Sequence, residues 1–314
     1  MVHTPICDML GIRYPILQGG MAHISDARLA AAVSNAGGLG IISAASGNVQ
    51  LIEEQIDLAH SLTDKPFGIN IMLMGANIDE IAELVVRKGV AVVTTGAGNP
   101  DKYIPMWKEA GVKVIPVVAS SALAKLVARS GADAVIAEGG ESGGHVGEMT
   151  TMALVPQVCD AVDIPVIAAG GIADGRGAAA ALMLGAQGIQ IGTRFLAAFE
   201  CNIHQTYKNK LLKANDTATI VTGRRLGHPV RSLKTPFSRN YAKLEYTDIS
   251  DDDLENLAVG TLRAAVADGD SAKGCFLAGQ ISGMVNKEQS AEEIIDDIFS
   301  EAENILNGAV KWVK

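Results

Sequence analysis

The sequence predicts an α/β protein, a closed (β/α)8 TIM barrel carrying a small added cap domain. Three observations lead there. Eight short apolar runs, rich in β-branched residues, recur about 20–30 residues apart, the spacing of a βα repeat. Helix-start and helix-stop residues lie between them. Glycine clusters follow the seventh and eighth runs, where a barrel usually grips phosphate.

The runs are residues 15–18, 38–43, 66–71, 90–95, 112–118, 132–138, 164–169 and 188–191. Each is apolar throughout rather than alternating, as strands buried on both faces must be. Ser25 and Asp26 open the first helix, which stops at Gly37 and Gly38. Asn77 or Asp79 opens the third, Ser120 and Ser121 the fifth, and Asp174 the seventh. Short polar side chains satisfy the free N–H groups of a first turn, and glycine ends a helix in a left-handed turn. An open doubly wound sheet is the alternative, but no GxGxxG follows the first strand and no Gly-Lys pair marks a P-loop. The barrel therefore spans residues 1–199. Its rhythm breaks after Phe199, and residues 200–275 read as a cap. Residues 276–314 return to the barrel and end in a helix, where Ser290 and Glu293 have the spacing of a capping box.

Composition narrows the function. Hydrophobic residues make up 48% of the 314-residue chain, which supports a large core, and aromatics only 4%, too few for a nucleic-acid stacking surface. A net charge of −9 argues against nucleic acid as a partner. Against that background, residues 217–244 contain no acid, yet hold Arg224, Arg225, Arg231, Lys234, Arg239 and Lys243. This reads either as a solvated surface or as a basic patch for an anionic ligand or acidic partner. Cys7, Cys159, Cys201 and Cys275 are too dispersed for a zinc site or a disulfide framework, which fits a reducing cytoplasm. Neither a signal-like amino terminus nor a membrane-spanning run is evident. No His/Cys/carboxylate cluster has metal-ligand spacing, so no metal is expected.

Barrel chemistry sits at the carboxyl ends of the strands. Gly170 and Gly171 follow strand seven, and Gly192 and Thr193 follow strand eight. Their backbone N–H groups suit a phosphate, because no side chain stands in the way. Gly20, Met21 and Ala22 follow strand one and suit a flat, partly apolar ring. Asn70, near the end of strand three, can both donate to and accept from a heteroaromatic edge. Glu138 ends strand six. His145 follows in a glycine-rich loop and is the best catalytic candidate, since its pKa range suits proton donation near neutrality. His23 and His228 are weaker candidates, and His3, His60 and His204 look incidental.

The segments QGGMA, PFGINIML, VTTGAGNP, AEGGESGGHVGEMTT, IPVIAAGGIADG and QIGTRF, in this order, resemble the superfamily of nitronate monooxygenases and FMN-dependent enoyl reductases. The likeness is greatest to the flavin-containing enoyl-acyl-carrier-protein reductases of bacterial type II fatty-acid synthesis (the FabK type). It covers essentially the whole chain, including AGQISGMV near the end. The resemblance implies tightly bound FMN, NADH or NADPH as co-substrate, and an acyl-carrier protein bearing a trans-2-enoyl thioester as partner; a homodimer is the expected assembly, the commonest for such an enzyme. It places Gly20, Met21 and Ala22 beside the flavin ring, Asn70 at its polar edge and Glu138 near the ribityl chain or ring. Gln190 lies beneath the cofactor, Gly170, Gly171, Gly192 and Thr193 at its phosphate, and His145 is the catalytic histidine.

Three other readings compete. A nitronate monooxygenase shares fold, cofactor and histidine, but uses oxygen to reoxidise the flavin. An inosine-monophosphate-dehydrogenase-like barrel needs a cysteine on the loop after strand six, which this loop lacks. A non-catalytic phosphate-ligand module would have no need of His145.

Overall fold

In the computed structural model, which describes residues 2–312, eight parallel strands form the barrel. They are β1 (Ile16–Gln18), β2 (Gly40–Ser43), β3 (Phe67–Met72), β4 (Val92–Gly96), β5 (Lys113–Val118), β6 (Val135–Glu138), β8 (Val166–Ala169) and β9 (Gly188–Ile191). A short strand, β7 (Gly144–His145), belongs to a second sheet with the hairpin β10 (Thr219–Thr222) and β11 (Val230–Leu233). All eight expected runs are strands; the first seven start one to three residues late, the third and fourth run one residue further, and the eighth has the expected bounds. The barrel closes between β1 and β2 through a single parallel bridge, Leu17 to Leu39.

The unbroken hydrophobicity of the strands has a direct cause. Alternate side chains of one strand enter different cores. Leu17, Ile41, Val92, Ile136 and Ile167 join one cluster with Ile6 and Leu10. Ile6 and Leu10 come from α1 (Pro5–Leu10), which thereby contributes to the interior cluster. Their neighbours Ile42 and Val93 pack with α3 (Val49–Leu62), α4 (Ile78–Arg87) and α5 (Ile104–Glu109). Ile16, Val135 and Val166 pack with α2 (Ala27–Asn35), α6 (Ser121–Arg129), α7 (Thr151–Cys159) and α8 (Gly175–Met183).

Most of the helix-start residues act as caps. Asp26, Ser120 and Asp174 accept N–H bonds of the first turns of α2, α6 and α8. Two do not. Ser25 is buried and bonds Met21 N and the Gln18 side chain, so it holds the loop after β1. Asn77 occupies the cap position of α4 at φ 55°, but its amide donates to Gly47 O instead of being bonded by the helix.

After β9 the chain makes a short 3-10 turn, Thr193–Ala197, and leaves the barrel. It runs through α9 (Gln205–Leu212), the β10–β11 hairpin, α10 (Pro236–Leu244), α11 (Asp251–Ala258) and α12 (Thr261–Val266). It then returns as α13 (Ala291–Gly308), which has the expected Ser290–Glu293 capping box and packs against α8 and α2. This helix completes the ring in the eighth βα unit. Tyr14 stacks on Phe299 at 5.0 Å and its hydroxyl donates to Asp296 at 2.9 Å. Gly175 lets α8 approach closely, because a Cβ there would lie 2.4 Å from Ala302 N and 2.6 Å from Ile298 O. No described helix is long and apolar enough to cross a membrane.

Gly175→Ala must therefore push α13 off α8. Overpacking of this kind costs about 1–3 kcal/mol, so the variant should show an earlier denaturant midpoint than wild type. An unchanged midpoint would mean that α13 is not tightly docked.

Candidate active site

A cavity of about 260 Å³ opens on the carboxyl ends of the strands, and all eleven nominated residues line it. Gly20, Met21 and Ala22 come from the loop after β1, Asn70 from β3 and Glu138 from the end of β6. His145 comes from β7, Gly170 and Gly171 follow β8, Gln190 lies on β9, and Gly192 and Thr193 follow it. Residues spread over more than 170 positions thus converge because parallel strands all point the same way.

Glycine is required at several walls. A Cβ at Gly20 would sit 2.3 Å from the Asn70 Cβ, so the β1 loop lies directly on that amide. Asn70 Oδ1 accepts from Thr94 Oγ at 2.9 Å, which orients its Nδ2 away from that partner. Gly170 and Gly171, both in the cavity wall, have φ of 86° and 72°, a left-handed pair that residues with side chains rarely adopt. Among the described residues the N–H groups of Gly171 and Gly192 find no protein acceptor. A phosphate-bearing ligand fits these orphan donors. Thr193 is partly committed, since its Oγ accepts from Gly279 N at 2.9 Å.

Two titratable groups face this space in an unusual state. Glu138 has its pKa raised to about 7 by burial, which a hydrogen bond from Ser142 Oγ at 3.0 Å only partly offsets. Near neutrality it is therefore able to donate as well as accept. His145 opens onto the cavity, yet surrounding protein, and secondarily His228, hold its pKa below the usual histidine range. That favours its neutral form, which keeps one N–H to donate.

The cap fixes where His145 points. β7 pairs antiparallel with β11, Val230 opposite His145 and Arg231 opposite Gly144, and Val146 N donates to Pro229 O. Arg231 Nη2 donates to Gly140 O at 2.9 Å, and its Nη1 to Thr219 Oγ at 3.3 Å. The histidine loop is thus clamped at both ends by the hairpin. Arg225 is likewise consumed internally, bonding Thr247 O, Ile249 O and Asp251. Two of the six basic residues of segment 217–244 are in this way committed within the protein.

Several lining residues have no counterpart in the sequence reading. Glu141 accepts from Thr151 N and Oγ at 2.9 Å and so caps α7, while its wall abuts Gly171. Leu277, Gly279 and Ile281 reach the cavity from the returning segment. Gln280 N donates to Glu141 O, and a Cβ at Gly143 would strike the Ala278 backbone at 2.7 Å. Ala97 lines the cavity at φ 55°, a strained backbone for a residue with a side chain. His23 does not line the cavity, His204 caps α9, His3 meets Asp8 and His60 bonds Lys88 O. No group of three or more potential ligands able to hold a metal occurs among the described residues.

Fold and site together define a barrel enzyme whose ligand cavity lies at the carboxyl ends of the strands, with Leu277, Gly279 and Ile281 of the returning segment on one wall. The chain belongs to the nitronate monooxygenase family, whose model matches residues 3–301. This is a family of flavin-dependent oxidoreductases. The structure of FabK from Thermotoga maritima superposes with a TM-score of 0.97 at 48% identity, covering 100% of both chains. A nitroalkane oxidase from Streptomyces ansochromogenes superposes at 0.87 with 29% identity, over 97% of this chain and 99% of that one. A (3aS,4S,5R,7aS)-5-hydroxy-7a-methyl-1-oxo-octahydro-1H-indene-4-carboxyl-CoA dehydrogenase from Mycobacterium tuberculosis is 35% identical over 100% of this chain and 99% of its own.

Two measurements test the site. Arg231→Gln should lose about 1.5–3 kcal/mol, the worth of hydrogen bonds from a charged donor, and should speed hydrogen exchange at Val146 N; unchanged exchange would remove Arg231 from any positioning role. The second concerns pH. Glu138 keeps a proton in the folded state between pH 4.5 and about 7 that the unfolded chain sheds, so its contribution to stability falls as pH rises through that window. In flavin-free protein, denaturant titrations should show a decline across this window in wild type that is smaller in Glu138→Gln. Parallel curves would refute the raised pKa.

Proposed function

We propose that this protein is an FMN-dependent enoyl-acyl-carrier-protein reductase that draws electrons from NADH or NADPH and reduces a trans-2-enoyl thioester to the acyl thioester. The observation that carries this reading is the placement of His145, the only imidazole among the residues lining the cavity, in a chain 48% identical over its full length to FabK. The Mycobacterium tuberculosis relative is named for a carboxyl-CoA ester, which is consistent with acyl thioesters as a substrate class for this architecture.

The residues present fit FMN. Orphan N–H groups at Gly171 and Gly192 suit its phosphate, and Glu138 can bond a ribityl hydroxyl as donor or acceptor. The Asn70 amide suits a heteroaromatic edge, and the side-chain-free surface of Gly20 admits a flat ring. Bound FMN would supply hydride chemistry, taking two electrons from the nicotinamide and giving a hydride to the β carbon of the substrate.

The protein's own part is electrostatic and protonic. As the β carbon gains hydride, negative charge develops on the thioester oxygen. His145, neutral and held by β11, donates its N–H to that oxygen and lowers the barrel's cost of carrying the charge. The α carbon then takes a proton from a water bonded to the imidazole, or from the minor imidazolium form, which becomes neutral imidazole and is re-protonated from solvent through the open side of the cavity. The aliphatic residues Leu277, Ile281 and Leu196 give the acyl chain an apolar wall.

The family model and the nitroalkane oxidase likeness favour a second reading, oxidation of alkyl nitronates with oxygen as the acceptor. One experiment separates the two. FMN-loaded protein is reduced anaerobically and mixed with crotonyl thioester. Rapid flavin reoxidation is expected, and His145→Ala should slow it by about 10²–10³-fold, the usual cost of removing an oxyanion donor. Reoxidation unaffected by the substitution would strip His145 of its role. No reoxidation, with oxygen uptake when a nitronate meets the oxidised protein, would make the chain a monooxygenase.

A further inference from the structure

Most lysines and arginines of this acidic chain that stand near an acid are neutralised by it. Lys88 meets Glu53 and Asp57, Lys102 meets Asp79, and Arg176 meets Asp174. One place departs from that rule. Lys210 of α9, Lys213 just after it, Lys234 at the end of β11 and Arg239 of α10 line a single cleft of about 560 Å³. No carboxylate lines this cleft, and none of the four cations forms a salt bridge among the described residues. The one nearby acid in the adjoining loop is Asp216. Thr206, Asn209 and Thr217 add neutral hydrogen-bonding groups to the cleft. Two of the four cations, Lys210 and Lys213, lie outside the acid-free segment 217–244 and were brought to it by the fold.

The cleft adjoins the active site. Leu233 forms part of it and donates its N–H to Phe276 O at 2.7 Å, while the next residue, Leu277, lines the catalytic cavity. Lys210 Nζ lies 5.3 Å from the Phe276 ring. Along β11, Leu233 is three residues from Val230, the partner of His145, a distance of about 10 Å at the rise of a strand.

We propose that this cleft docks an acidic carrier protein that presents the acyl thioester to the cavity; the inference rests on the enoyl-reductase reading above. The magnitudes favour a protein over a lone anion. Lys213, Lys234 and Arg239 are exposed, and in water one charge pair at 4 Å is worth only about 1 kcal/mol. Useful affinity then requires several carboxylates meeting several cations at once, as on an acidic helix. Such an encounter is steered at long range and is weakened by salt.

The test uses the FMN-loaded enzyme, a purified acyl-carrier protein, and the double variant Lys234→Glu/Arg239→Glu, with thermal unfolding as the control for folding. Crotonyl-carrier protein and crotonyl-coenzyme A are compared as substrates at low and raised salt. The variant should lose at least tenfold in kcat/KM for the carrier substrate and most of its salt dependence, while turnover of the coenzyme A ester stays within twofold. Equal activity of variant and wild type on the carrier substrate overturns the proposal. Parallel losses on both substrates overturn it too, since the cleft would then serve a phosphate common to both or the nicotinamide. If wild type reduces neither thioester, the enoyl-reductase reading fails separately, and direct titration with unloaded carrier protein decides the docking site. Salt-sensitive binding to wild type that the variant lacks upholds it, and absence of binding to wild type overturns it.

Discussion

Closing a parallel sheet on itself is the constraint from which the remainder of this structure follows. A closed barrel leaves no strand edge unpaired, and here the closing seam is thin. Between β1 and β2 it consists of Gln18 N to Leu39 O, Leu39 N to Ile16 O, and little more backbone. The Gln18 side chain completes it. Fully buried, it accepts from Ile41 N at 3.1 Å and donates to Ser25 Oγ at 2.8 Å. One amide thus joins the seam to the loop that carries Gly20, Met21 and Ala22. Barrel closure and the shape of the cavity wall are set by the same side chain.

The cavity divides its work between two parts of the chain. The barrel supplies a rigid floor in which glycines keep side chains out of the way and expose backbone donors. The loop after β6 supplies the group nominated for proton donation, and the excursion between β9 and α13 supplies the means to hold it. β7 is only two residues long and would not persist as an isolated strand; its pairing with β11 and the Arg231 bonds to the same loop give it order. The hairpin therefore sets the position of His145, while the segment that follows it lines the cavity through Leu277, Gly279 and Ile281.

Electrostatically the site is close to neutral on its acid–base side. Burial raises the pKa of Glu138 to about 7 and lowers that of His145, which shifts both toward their uncharged forms. A neutral imidazole donor stabilises charge as it forms without first attracting a counter-ion. Of the positive charge on this part of the chain, Lys210, Lys213, Lys234 and Arg239 line a separate cleft, and Arg231 is spent on the Gly140 carbonyl.

Local sequence determined the strands, because residues buried on both faces leave an apolar run that needs no tertiary information to be seen. It also determined the helix starts at Asp26, Ser120, Asp174 and Ser290, where a short side chain bonds its own backbone. The glycine loops after β8 and β9 were legible for the same reason, and with the barrel rule they located the cavity before any coordinates. Tertiary structure decided what depends on distant partners. Ser25 and Asn77 have the chemistry of caps, yet longer-range bonds to Met21 N and Gly47 O claim their side chains. Arg225 and Arg231 look like surface charge in the sequence, and only folding shows them bonded to carbonyl groups. Glu141, Leu277 and Gly279 enter the site through contacts between segments more than a hundred residues apart. Periodicity and capping are properties of neighbours along the chain, whereas burial, pKa and the pairing of charges are properties of neighbours in space.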